Sequence, residues 1–243
     1  MKKYIAPLRK ALGSAWRVLL GYDNVILGVV LIPVALNIWI QLYKGTMQVW
    51  PYISAGFYWK PIFSLLPAAF SAIYVTGTSL LLLTSGKPVA RDEALLPNLL
   101  AVLGAFSAYL FGFLSPTETP LINIWVPLIL LLLGAALGLL SLVYLQRSFS
   151  VTPQAHSLKQ GGPYAFIRHP MYAGSILSAF GVGLLLGTPE SLLLAFAIAG
   201  FQIGRAYFEE RILLCAFPDY GAYVRKAGAF LPRLHLRRAR VAP

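Results

Sequence analysis

The chain has 243 residues, 58% of them hydrophobic and only 12% charged, with a formal net charge of +12 and a mean hydropathy of +0.71. A soluble domain carries about 25% charged residues, so this composition points to lipid as the solvent and argues against a soluble globular domain. The lone cysteine, Cys215, lies between apolar residues and reads as a small hydrophobe; it excludes an internal disulfide and a cysteine-based metal site.

Basic and apolar positions mix from Met1 to Leu20. This stretch reads either as an amphipathic helix lying on the membrane or as a plain topogenic flank. It does not resemble a cleaved signal, because charge continues at Arg9, Lys10 and Arg17. Six segments follow that could cross a bilayer, each needing about 20 apolar residues: 25–43, 62–84, 95–114, 121–145, 171–187 and 191–208, the last two being short. Pro33, Pro67 and Pro97 lie within or near them, as transmembrane helices tolerate. Gly134/Gly138 and Gly200/Gly204 have the spacing that permits close helix contact. Trp39, Trp50, Tyr52, Tyr58 and Trp59 gather near the proposed outer surface like an aromatic belt. The expectation is an all-α polytopic membrane protein, with N-terminal membrane helices over 1–120 and a catalytic core over 121–243.

Charge placement sets the orientation. With a cytoplasmic N-terminus and six crossings, 18 of the 20 Lys and Arg residues fall on the cytoplasmic side, leaving Lys44 and Lys60 opposite. This positive-inside bias accounts for the net charge without nucleic acid. It fits a bacterial inner membrane or an endoplasmic reticulum membrane equally.

Two polar clusters fall on that side. The connection "QRSFSVTPQAHSLKQGGPYAFIRHP" holds His156 and His169 around a Gly161-Gly162-Pro163 turn. Pro170 keeps Arg168-His169 out of a continuing helix yet suits the first turn of the next one. His169 then sits near a helix start, a location that suits a carboxylate. The second cluster begins where the sixth segment ends and contains Glu209 and Glu210, two of only eight acids. Adjacent residues stand about 100° apart on a helix, so one acid can face a site while the other meets solvent or an arginine, Arg205 or Arg211. An interfacial charge network is the plain alternative. The tail "RLHLRRAR", with His235, reads as a solvated basic end touching anionic lipid. His156 and His169 lack the spacing or cysteine partners of a metal site.

At these residues the chain resembles the isoprenylcysteine carboxyl methyltransferases and their phospholipid N-methyltransferase relatives. The shared pattern is His156 and Leu158, Gly162-Pro163-Tyr164, Arg168-His169-Pro170-Met171-Tyr172, a membrane hairpin, Glu209-Glu210, then "FPDYGAYV" and Leu231-Pro232. It covers roughly 140–232. Phe217-Pro218-Asp219-Tyr220 stands where that family often has Phe-Gly before the tyrosine.

The resemblance implies S-adenosylmethionine as cofactor on the cytoplasmic side, lined by His156, Leu158, Gly162, Tyr164, His169, Pro170, Tyr172 and Glu209. It places Arg168 and Glu210 toward the reacting groups and opens the hairpin to a lipophilic acceptor from the bilayer, among membrane lipids. For a carboxylate acceptor such as isoprenylcysteine, Arg168 or Arg205 would position the charge and no base is needed. For a protonated amine headgroup, Glu210 would be the candidate base. The residues alone do not choose between these, nor do they give the oligomeric state. A transporter is the competing class; it would need ionisable residues near several helix midpoints or a repeat, and neither is visible.

Overall fold

The computed structural model describes residues 21–54, 60–115, 117 and 123–233, apart from the side chains of 52–54, 60–64 and 67. The N-terminal basic stretch, the His235 tail and part of the outer aromatic cluster lie outside these residues. The fold is all-α, with one very small β-pair among the described residues. In order come α1 (Asp23–Ser54), α2 (Lys60–Leu83), β1 (Ala90–Arg91), α3 (Leu95–Phe106) continued by a 3-10 turn (Ser107–Phe113), and α4 (Trp125–Leu145). Then follow β2 (Gln154–Ala155), α5 (Pro170–Leu186), α6 (Pro189–Ala216) and the short α7 (Tyr220–Lys226).

Asp23–Pro51, Leu95–Phe113, Trp125–Ser148 and Pro189–Ala216 are long and apolar enough to cross a membrane; Ala68–Leu83 and Pro170–Leu186 are apolar but shorter. At about 1.5 Å per residue, the 21 residues of α4 match a hydrocarbon core of about 30 Å. The outward faces are apolar, with Val29, Leu36, Leu133, Leu140, Leu193, Phe196 and Ile203 all exposed. Such surface is stable only against lipid or another protein.

Small residues set the central packing. A Cβ on Gly134 would meet the Gly174 carbonyl oxygen at 2.5 Å, and one on Gly174 would meet the Gly134 oxygen at 2.6 Å. The backbones of α4 and α5 therefore touch, as close membrane packing allows. Gly200 and Gly204, with the same spacing, behave differently. Nothing lies within 4 Å of a Cβ at Gly200, and only Leu100, at 3.9 Å, lies near one at Gly204. The α5–α6 hairpin closes on local chemistry. Gly187 takes the left-handed conformation that ends α5, and Thr188 and Ser191 form a reciprocal capping box with Pro189 in the first turn of α6.

The connection before α5 is well anchored. Gln146, at φ 49°, breaks α4. The segment after it pairs with the α2–α3 loop through β1 and β2, Ala90 opposite Ala155 and Arg91 opposite Gln154. Further on, Ile167 bridges in parallel to Gly228, so the chain after α7 is stitched onto the connection between α4 and α5.

Candidate active site

Pro170 starts α5 and is fully buried, which leaves Arg168 and His169 outside the helix, just before it. Their backbones are fixed from the far end of the chain: Arg168 N donates to the Gly228 oxygen at 2.7 Å and His169 N to the Ala229 oxygen at 3.0 Å. Helix α6 extends to Ala216, beyond the segment ending at 208 read from the sequence, and carries both glutamates back to this point.

Glu210 Oε1 accepts from Arg168 Nε at 2.8 Å and His169 Nε2 at 2.9 Å, and Arg168 Nη2 lies 2.8 Å away in an ion pair. An ionised carboxylate only accepts, so His169 Nε2 carries the proton in this arrangement. Arg168 Nη1 also donates to the Ala227 oxygen at 2.7 Å, satisfying a carbonyl left open at the end of α7. Glu209 turns the other way. Its Oε2 accepts from the Tyr172 hydroxyl at 2.7 Å and lies 3.9 Å from His169 Nδ1. The His169 and Tyr172 rings stack at 5.5 Å. The two acids thus both point at the histidine loop, each with its own partner, and neither pairs with Arg205 or Arg211. Arg211 lies over the Tyr207 and Phe208 rings.

Arg205 lies beyond Tyr172, its guanidinium 4.7 Å from the ring centre. It is buried, at 5% exposure. Nη1 donates to Gln202 Oε1 at 3.0 Å and Nη2 to the Val151 oxygen at 3.1 Å, while Nε has no partner. Among the described residues no carboxylate lies within ion-pair distance of it. Arg205, Gln202 and Tyr172 are among the residues lining a largely apolar cavity of about 480 Å³, to which each of α1 to α6 contributes. Gly104 leaves room for the arginine stem; a Cβ there would meet Arg205 Cδ at 2.8 Å.

The remaining predicted positions surround this cluster. The Tyr164 carbonyl oxygen accepts from the Tyr223 hydroxyl at 2.6 Å, and Leu158 packs against the cluster of Tyr220, Tyr223 and Ala227. Gly162, at φ 57°, lies against Tyr144, whose ring a Cβ would meet at 2.3 Å; its role here is the turn. Burial, with the charge of Glu209, holds the Tyr164 phenol well above its usual range. Burial likewise raises Tyr220, and pushes Tyr223 up to about 12. All three remain protonated at neutral pH. His156 stands apart, its electrostatic neighbours being Asp23, Arg91 and the Lys87 backbone. Burial lowers its pKa and Asp23 opposes that shift. The Lys87 backbone approaches outside hydrogen-bond geometry, so neither ring nitrogen has a partner.

Three features fit a polar ligand on this face. Both His156 nitrogens and the Tyr220 hydroxyl are buried without partners, and such groups call for a partner from outside. Glu209 uses one oxygen for Tyr172, leaving the other for a cationic or hydroxyl group. Tyr172 and Phe230 supply aromatic surface beside His169, and Tyr164 and Tyr220 stand near the glutamates.

The phospholipid methyltransferase family model matches residues 122–219. At the superfamily level, this region is that of a methyltransferase. The chain is 38% identical over 86 residues to the cobalt-zinc-cadmium resistance protein CzcN of Cupriavidus metallidurans, covering 34% of this chain and 39% of that protein. It is 35% identical over 79 residues to the protein-S-isoprenylcysteine O-methyltransferase of Schizosaccharomyces pombe, covering 32% of this chain and 34% of that enzyme. The chain therefore spans well under half the length of these relatives. The methyltransferase region contains every site residue above except those of the N-terminal helices, the α2–α3 loop and the chain from Tyr220 onward. Sequence reasoning noted Gln202 only as a polar residue beside Arg205 at the end of the sixth segment, and it missed Tyr144 and Phe230.

Proposed function

We propose that the chain is an S-adenosylmethionine-dependent membrane methyltransferase whose acceptor is a lipophilic acid, with isoprenylcysteine as the model for that class. The observation that carries this reading is the apolar cavity lined in part by Arg205 and by Tyr172, whose ring stacks on His169 beside the two glutamates. His169, Tyr172, Tyr164 and Glu209 would hold the cofactor, with Leu158, Gly162 and Pro170 shaping the loop and His156 at its edge. The catalytic core is 121–243, its chemistry facing the cytoplasm.

When bound, S-adenosylmethionine supplies an electrophilic methyl group on a sulfonium. The work left to the chain is alignment and exclusion of water. Arg205 has only neutral acceptors and a ring around it, so its charge is not neutralised. An anionic head about 4 Å away gains roughly 4 kcal/mol at an effective dielectric near 20. A carboxylate acceptor gives up no proton, so no base is required. This matters because Glu210 Oε1 already accepts hydrogen bonds from Arg168 Nε and His169 Nε2, faces Arg168 Nη2 across an ion pair, and is poorly placed to take a proton from an amine. Arg168 and Glu210 then brace the loop at the reacting end.

The test is transfer of labelled methyl from S-adenosylmethionine into a membrane extract by the purified protein. Label in an organic-soluble product that mild base releases as methanol is expected, since that marks a methyl ester. Base-stable label would move the acceptor to an amine headgroup, and no incorporation would refute the enzyme reading.

A further inference from the structure

We propose that Asp23, at the start of α1 and outside the matched region, is a positioning residue that aims Arg205 into the cavity through the strap 149–155. The proposal rests on the reading of Arg205 as the anchor for an anionic acceptor.

The contacts form an unbroken path. Asp23 Oδ2 accepts from the Thr152 hydroxyl and from Gln154 Nε2, the latter at 2.7 Å. Gln154 Nε2 also lies 2.8 Å from Thr152 Oγ1. Asn24 Nδ2 donates to Gln154 Oε1 at 3.4 Å and to Ser85 Oγ at 3.0 Å. Thr152, Gln154 and Asn24 are all buried. The residue before Thr152 supplies the carbonyl that receives Arg205 Nη2. The other oriented nitrogen, Nη1, is held by Gln202, whose own Nε2 donates to the Gly104 oxygen at 3.2 Å.

A guanidinium with one bare nitrogen and no acid beside it is aimed by its two acceptors and by the Tyr172 ring it faces. One acceptor belongs to α6 itself; the other rides on a strap fastened by a carboxylate. Hydrogen bonds to a charged acceptor are about twice as strong as neutral ones. The Asp23 carboxylate accepts from both side chains of the strap, Thr152 and Gln154. Apolar packing would hold the strap as firmly but would not fix the direction of the Val151 carbonyl. The first helix thereby becomes part of acceptor selection.

The experiment measures binding of hexadecanoate and of uncharged hexadecanol to the full chain in detergent. Variants are Asp23→Asn, Thr152→Val (which keeps the shape), Arg205→Gln, and each of the first two combined with the third. Arg205→Gln is expected to weaken hexadecanoate about tenfold or more, and Asp23→Asn and Thr152→Val about three- to tenfold, with no further loss in the Arg205→Gln background. Hexadecanol binding should stay level throughout. Equal losses for both probes, or additive losses in the double variants, would overturn the positioning role. If Arg205→Gln itself leaves hexadecanoate binding unchanged, the anion-anchor reading fails and takes this proposal with it, a pattern distinct from either.

Discussion

Glu210 is where charge, position and chemistry meet, since one of its oxygens accepts from both Arg168 and His169. Glu210→Gln keeps the shape and removes the charge, leaving an Arg168 side chain of 8% exposure with a neutral partner. Hydrogen bonds to charged groups contribute about 1.5–3 kcal/mol, so cofactor affinity and turnover should fall together by about tenfold or more, read by calorimetry and labelled methyl transfer. A loss of turnover with cofactor affinity intact would instead assign Glu210 to proton removal. His156 gives a second residue-scale prediction. Its pKa is lowered in the folded chain by burial, while the unfolded chain takes up a proton near the ordinary value of about 6.5. The unfolded state then binds more protons just below that pH, so stability is complete above it and declines as pH falls toward the folded value. Melting temperature in detergent should drop through that window, and His156→Gln should flatten the drop.

Among the elements, the two glycine pairs separate spacing from contact. Gly174→Ala places a Cβ 2.6 Å from the Gly134 oxygen and must push α4 and α5 apart, a clash costing about 1–3 kcal/mol. Gly200→Ala, with open space around it, should be neutral or slightly stabilising because alanine favours helix; thermal unfolding of the two variants checks this. The sequence shows both pairs identically, because spacing reports which helix face a glycine occupies and not what packs on that face. The same division runs through the site. The helices were legible from apolar run length, and Arg168-His169-Pro170 and Glu209-Glu210 from polar residues at apolar boundaries. The partner of each glutamate was not legible, since it depends on α6 continuing eight residues past the expected end at 208. Nor was the Asp23–Thr152 contact, which joins residues 129 positions apart. The β1–β2 pair is too short to leave a periodic signal.

For the molecule as a whole, orientation decides whether the cofactor side and the lipid side are separate. The described helices present apolar surface outward, and the polar cluster is confined to one end, where α6 and α7 meet the histidine loop. That end carries Lys159, Arg168, Arg211, Arg225, Lys226 and Arg233. Translocating such a concentration of positive charge opposes the bias that sets membrane topology, so this end should face the cytoplasm. Cys215 allows a direct test because it is exposed, is the chain's only cysteine, and lies in the last turn of α6 beside the cluster. A membrane-impermeant maleimide should leave Cys215 unlabelled in intact cells and label it fully in inverted vesicles. Labelling from outside would reverse the topology. A polar cofactor made in the cytoplasm would then have no route to His169 and Glu209, and the methyltransferase reading would fail on access alone.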